Sequence, residues 1–596
     1  MIDLSADAET RRQELVSADP RFRLDPPGAG LLVATGPVEF RRVEGKVAGT
    51  WRDVQARSSE TPEVFAVLTD MIARSRRDVE RSAGSARPHV NLGLALMKTG
   101  LLEEAAGEFS RALALDPKEH SAEANLARIR VLQGNLVEGE KLYSHLRESA
   151  PQNASVLMSL AFVSARRGLW DHAISLLQDA IRLDEDAPLP RYNLARVYLT
   201  LGRKHEAIAQ LKVASRSDVR SPSFHQGLGV AYALAGEFGR AERSFRTALT
   251  LAPDTRDALY GLCVVLLATK KPQEVVTLLS TRPANRALDR EGVELLARAY
   301  FDLGNYKAAQ NHLTIAMRLV EETRGGGVVD LARITNNLGV CAVFQRDVRQ
   351  AEQLLKRAIE MQPGASPIPY HNLARAYLDE KRAYKAQEIL EQCQQIFPSD
   401  DTTRVLRAIA LESQNSQGES MALLREVIRS EKAPAAAFAI LGALLADEAR
   451  DLDQALAVIR RGNELHPGNP LVLNNLAYVH LRRGESAPAR DILKRIRTDA
   501  TIDVAVTATR GLLLIAEGDL EQGKQFYRAA ERMARQGGNR DLAEVVRQKM
   551  HLELARAYAR SGQSAMALRE IQKGLRIKGR ESFSIDLKGL EQTVVE

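Results

Sequence analysis

Two residue types recur along this chain in a pattern that could recognise a polypeptide. Asparagine stands at Asn91, Asn125, Asn193, Asn337, Asn372 and Asn475, and arginine at Arg128, Arg196, Arg298, Arg375 and Arg556. A carboxamide both donates and accepts, so it can pair with a peptide group of an extended ligand without reading its side chains. A guanidinium captures carboxylates bidentately. Residues three apart share a helix face, so Asn193 with Arg196, and Asn372 with Arg375, point the same way. Together they favour an acidic segment or a chain terminus as ligand. The competing use of both columns is structural: amides bonded to neighbouring helices, and arginines tied into salt bridges.

Catalysis has no comparable support. Gly28-Ala29-Gly30 lacks the following glycine and the strand–helix context of a phosphate loop. There is no HExxH or CxxC, and the 11 histidines are scattered without ligand spacing. Cys263, Cys341 and Cys393 read as small packing residues, and three cysteines cannot build a disulfide framework, which suits a reducing compartment. No catalytic residue, metal or cofactor is expected. Met1 to Asp7 carries neither a basic n-region nor an apolar h-region, and no apolar run approaches roughly 18 residues. A soluble, cytoplasmic protein without membrane contact is the expectation. The charge, +7 from 83 Lys+Arg against 76 Asp+Glu, is diffuse. Aromatic residues at candidate binding positions are sparse, Tyr192 and Tyr260 excepted, so nucleic acid is disfavoured as a partner.

The elements that must carry these residues follow from a period. A chain of 596 residues exceeds the roughly 250–300 at which one compact core stops growing, so it is several domains or a repeat array. Counting from Ala86, position 7 is Leu92, position 8 Gly93, position 15 Gly100, position 20 Ala105, position 24 Phe109, position 27 Ala112 and position 32 Pro117. The same pattern returns every 34 residues, in units starting at 86, 120, 154, 188, 222, 256 and 290. After Gly325-Gly326-Gly327 it resumes at 332, 367, 401, 435, 470, 504 and 548, with 256, 401 and 435 degenerate. Apolar residues at 7, 8 and 11, then 20, 24 and 27, have the spacing of two amphipathic helices. Glycine at 15 caps the first helix, and proline at 32 ends the second. Each hairpin leaves an apolar face that only the next can cover.

This pattern resembles the tetratricopeptide repeat family over residues 86–581. It departs at position 4, where the family expects a bulky aromatic and this chain has, for example, His89. The resemblance implies an all-α solenoid, a right-handed superhelix of helical hairpins. The expected organisation is a non-repeat segment at 1–85 with short strands and a helix over about 62–82, repeats over 86–323, a loop at 324–331, repeats over 332–581, and a cap or tail at 582–596. It also implies that first helices line a concave groove, with the asparagine and arginine columns at positions 6 and 9 facing it. The function so implied is a non-catalytic adaptor or scaffold holding another protein or an extended, acidic peptide. The alternatives are a regulatory subunit of a separate enzyme or assembly machine, docking through 1–85, and a nucleic-acid or nucleotide binder using the inner arginines.

Overall fold

The computed structural model describes residues 62–82, 84–281, 288–322, 327–447, 451–496, 504–536, 540–579 and 581–595. All regular elements among these residues are α-helices. The short strands expected near the N-terminus fall outside the described residues. The described helices belong to two units, one ending at Ala284 and the other beginning at Asn285.

The N-terminal unit opens with α1 (Pro62–Arg81), followed by six hairpins. Their helices are α2 (Ala86–Lys98) with α3 (Leu102–Leu115), α4 (His120–Leu132) with α5 (Leu136–Ser149), and α6 (Ala154–Arg166) with α7 (Trp170–Leu183). Then come α8 (Pro188–Thr200) with α9 (Lys204–Ser217), α10 (Pro222–Leu234) with α11 (Phe238–Leu251), and α12 (Arg256–Ala268) with the short α13 (Pro272–Ser280). Ile72 of α1 is buried in one cluster with Val90, Leu96 and Phe109, so α1 covers the face that the first hairpin would otherwise expose.

The C-terminal unit runs from α14 (Arg290–Asp302) and α15 (Tyr306–Glu322) through α16 (Val328–Phe344), α17 (Val348–Met361), α18 (Ile368–Asp379), α19 (Ala383–Ile396), α20 (Asp401–Glu412) and α21 (Gln417–Val427). It continues with α22 (Ala435–Asp447), α23 (Leu452–Leu465), α24 (Pro470–Arg482), α25 (Ser486–Arg495), α26 (Val504–Ala516), α27 (Leu520–Gln536), α28 (Arg540–Arg560), α29 (Ser564–Leu575) and α30 (Glu581–Val595). Helix α16 already begins at Val328, inside the stretch read as a loop. Phe583 and Leu587 of α30 are buried, so this helix packs onto the last hairpin.

Two local demands set the hairpin. The turn needs a left-handed residue, supplied by Gly100, Gly134, Gly168, Gly202 and Gly236 at φ 80°, 88°, 79°, 72° and 78°. Lys270, Arg346, Lys381 and Asn415 hold the same turn position at φ 61°, 62°, 59° and 61°. The hairpin imposes this conformation on side chains that disfavour it by roughly 1–2 kcal/mol. The helix crossing, in turn, needs a small residue: a Cβ on Gly229 would stand 2.7 Å from the Phe245 ring, and one on Gly93 2.7 Å from Phe109. Where position 4 departs from the family, a polar lock replaces the aromatic. His89 Nδ1 lies 2.7 Å from Glu108 Oε2, and His551 Nδ1 2.5 Å from Glu570 Oε2.

Candidate functional site

In the N-terminal unit, α6, α7 and α8 enclose a cavity of about 180 Å³ lined by Met158, Phe162, Trp170, Leu177, Asn193 and Arg196, among others. The local sequence explains the placement. Asn153 caps α6 by accepting from the Ser155 and Val156 amides, and Met158 and Phe162, four apart, then share one face. Pro188 starts α8, whose Asn193 and Arg196 turn toward the same opening. Asn193 Nδ2 approaches Met158 Sδ at 3.6 Å, and the Arg166 guanidinium sits 5.9 Å from the Phe162 ring centroid. Asn193 and Arg196 are both half-buried. No described acidic residue forms a salt bridge with Arg196. The cavity therefore combines an apolar floor with an amide and a cation at its rim.

The other members of the two columns in this unit are also partly open. Asn91 is exposed; Asn125 is half-buried and donates through Nδ2 to Ser121 O at 2.8 Å within α4. Arg128 is half-buried. Burial pushes the neighbouring Tyr143 hydroxyl up, and the charge of Arg128 opposes that rise.

The C-terminal unit treats the same columns differently. Asn337, Asn372 and Asn475 are 1%, 2% and 1% exposed. Asn372 Nδ2 donates to Asn336 Oδ1 at 2.9 Å, from α18 to α16, and Asn475 Nδ2 donates to Ala439 O at 2.8 Å, from α24 to α22. Asn336 Nδ2 in turn donates to Asn337 Oδ1 at 3.2 Å. These amides join the first helices of successive hairpins. The arginines are engaged too: Arg298 pairs with Asp302 within α14 at 2.9 Å, Arg556 with Glu553 within α28 at 2.9 Å and with Asp586 of α30 at 2.6 Å, and Arg375 is buried.

Sequence reasoning missed Met158, Phe162 and Trp170. The signal was available for the first two, which occupy positions 5 and 9 of the unit starting at 154 and are not needed to close the hairpin. Conversely, Tyr192 and Tyr260 are 2% and 1% exposed, and present no ring face for a base to stack on. All three cysteines are buried, and burial pushes the Cys341 thiol up to about 12 and the Cys393 thiol to about 11, the reverse of nucleophile activation. Among the described residues no cluster of three or more His, Cys, Asp or Glu could hold a metal ion, and no helix is long and apolar enough to cross a membrane.

Helical hairpins following one another along the chain, each packed on the next within its unit, define a helical-repeat solenoid. Tetratricopeptide repeat family models match residues 96–161, 165–229, 227–274, 291–363, 345–411, 440–502 and 551–573, and the chain belongs to that family. It is similar to a TPR repeat-containing protein of Pseudomonas aeruginosa, 27% identical over 148 residues that make up 25% of each chain. It is also similar to the peroxisomal targeting signal receptor of Eremothecium gossypii, 24% identical over 39% of this chain and 40% of that one. The BBSome complex member BBS4 of Bos taurus matches at 22% over 50% of this chain and 56% of its own. The chain thus spans between a quarter and just over half the length of these relatives. Among solved structures, the APC/C hetero-tetramer Cut9–Hcn1 matches with a TM-score of 0.49 at 13% identity, over 85% of this chain and 96% of that chain.

Proposed function

We propose that the chain is a non-catalytic, cytoplasmic protein-binding adaptor whose N-terminal unit holds an extended, acidic peptide segment. The observation that carries this reading is the cavity of about 180 Å³ with Asn193 and Arg196 at its rim. A large apolar side chain of the ligand enters between Met158, Phe162 and Trp170. Asn193 pairs with the adjacent peptide group, and Arg196 takes a neighbouring carboxylate. Asn91, Asn125 and Arg128 continue the track toward α2. Relatives named as a targeting-signal receptor and as a member of a protein complex support a protein-binding role. We assign the buried Asn337, Asn372 and Asn475, with Arg298, Arg375 and Arg556, to bracing the C-terminal unit rather than to ligand contact.

Selection of displayed random peptides on the full chain tests this. Enriched sequences should place an apolar residue beside Asp or Glu, and Phe162→Ala and Arg196→Ala should each weaken the selected peptide tenfold or more. Enrichment of basic sequences, or binding indifferent to both changes, would overturn it.

A further inference from the structure

A second cavity, of about 100 Å³, lies in the C-terminal unit among Asp447 of α22, Tyr478 and Arg482 of α24, Lys549, Glu553 and Arg556 of α28, and Phe583 and Asp586 of α30. Most of its charges are already matched. Asp447 Oδ1 accepts from Tyr478 Oη at 2.7 Å and from Arg482 Nη1 at 2.8 Å; Arg556 is held by Glu553 and Asp586. Two groups are left over. Lys549 is 6% exposed, and its Nζ makes no hydrogen bond to a described residue. It rests 4.1 Å from the Tyr478 ring centroid and 5.6 Å from that of Phe583. The Asp447 side chain is likewise 6% exposed, and its Oδ2 also makes no hydrogen bond to a described residue.

A native fold seldom leaves a buried ammonium and a buried carboxylate oxygen unbonded in one cavity unless something else bonds them. The missing group must accept from Lys549 and donate to Asp447. The three cations and three anions that line the cavity cancel, so a neutral occupant preserves the balance whereas an ion would leave a buried charge unmatched. A cavity of 150 Å³ holds a benzene-sized molecule, so this one has room for a group of a few heavy atoms. We infer that this cavity is a binding site for a primary carboxamide, whose oxygen accepts from Lys549 Nζ and whose NH₂ donates to Asp447 Oδ2. Burial lowers the Lys549 ammonium to about 8 against the opposing pull of Asp447 and Glu553, which leaves it protonated at neutral pH and able to donate.

Ligand-observed saturation-transfer NMR on the full chain tests this with three isosteres: propionamide, propionate and propylamine. Propionamide should give saturable transfer that Lys549→Met reduces at least fivefold, and the two ions should give little. Lys549→Met leaves three anions against two cations in the cavity, so it is paired with Lys549→Met/Asp447→Asn, in which the charges again cancel, and unchanged hydrogen exchange in α24 verifies folding in both. Equal transfer from all three compounds, or propionamide transfer that Lys549→Met leaves intact, would overturn the site. The source of the amide is read with the peptide Ala-Gln-Ala against Ala-Ala-Ala. A tenfold preference for the glutamine peptide over both Ala-Ala-Ala and propionamide identifies a polypeptide side chain; parity with propionamide identifies a free small amide.

Discussion

The two units set the same repeat positions in opposite surroundings. At positions 6 and 9 of the N-terminal unit, asparagine and arginine stand half-open beside an apolar cavity. In the C-terminal unit, the equivalent asparagines are buried, Asn372 and Asn475 bond from one hairpin to the next, and Arg298 and Arg556 are in salt bridges. The residue that precedes each asparagine separates the two cases. It is Val90, Ala124 or Tyr192 in the first unit, but Asn336, His371 or Asn474 in the second. Two of these preceding polar side chains take a partner on an adjacent first helix, and Asn336 does so by accepting from Asn372. His371 does so through Thr403 Oγ1 at 2.8 Å and Asp400 at 3.1 Å. One residue type thus stands open or half-open where its neighbour is apolar and buried where its neighbour is polar.

Acid should separate the units most strongly. Burial raises the Asp400, Glu352 and Glu570 carboxyls, but hydrogen bonds outweigh it: from His371 and Thr403 to Asp400, from Lys356, Tyr377 and Arg382 to Glu352, and from His551 and Lys573 to Glu570. Each ends at about 2. A depressed carboxyl contributes stability that is present above its unfolded value near 4 and is lost as pH falls through about 2. Asp400 and Glu570 should each contribute roughly 1–3 kcal/mol, and the more solvent-screened Glu352 roughly 0–1 kcal/mol. Hydrogen exchange read by unit, between pH 5 and pH 2, should show the C-terminal unit loosening first. Simultaneous loss would break the comparison.

Packing comes next in size. Gly229→Leu, which drives a branched side chain into Phe245, should destabilise the N-terminal unit by roughly 1–3 kcal/mol. Because repeat contacts are nearest-neighbour, exchange in the C-terminal unit should stay unchanged; a uniform loss would mean that the units do not respond separately. Asn372→Ala strips Asn336 Oδ1 of its donor and should cost roughly 1 kcal/mol by urea unfolding. The smallest expected effect is a gain. Arg346→Gly relieves a left-handed side chain at φ 62° and should raise stability by roughly 0.5–1 kcal/mol. No change in the urea midpoint would place the turn strain elsewhere.

The solenoid was legible because its signals are local and steric. Glycine at the turn, small residues at the crossing and proline after the second helix each answer a demand made within one hairpin, so they recur at fixed spacing. The groove was only half legible. Asn193 and Arg196 stand out as polar, but Met158 and Phe162 look like core until their positions, 5 and 9, are counted. The burial of Asn372 and Asn475 was written in the polar residue before each. Lys549 was not legible: its neighbours Asp447, Arg482 and Asp586 lie on three other helices, and no local pattern announces them.

The central claim is that one column binds in the first unit and braces in the second. Affinity for a display-selected acidic peptide and melting temperature, measured on Asn193→Ala/Arg196→Ala and on Asn372→Ala in the full chain, test it most directly. The first variant should lose tenfold or more in affinity and flatten its salt dependence with the melting temperature unchanged. The second should melt earlier and bind as the native chain does. If Asn372→Ala abolishes binding at unchanged stability, or if the Asn193/Arg196 pair costs only stability, the division of labour is wrong.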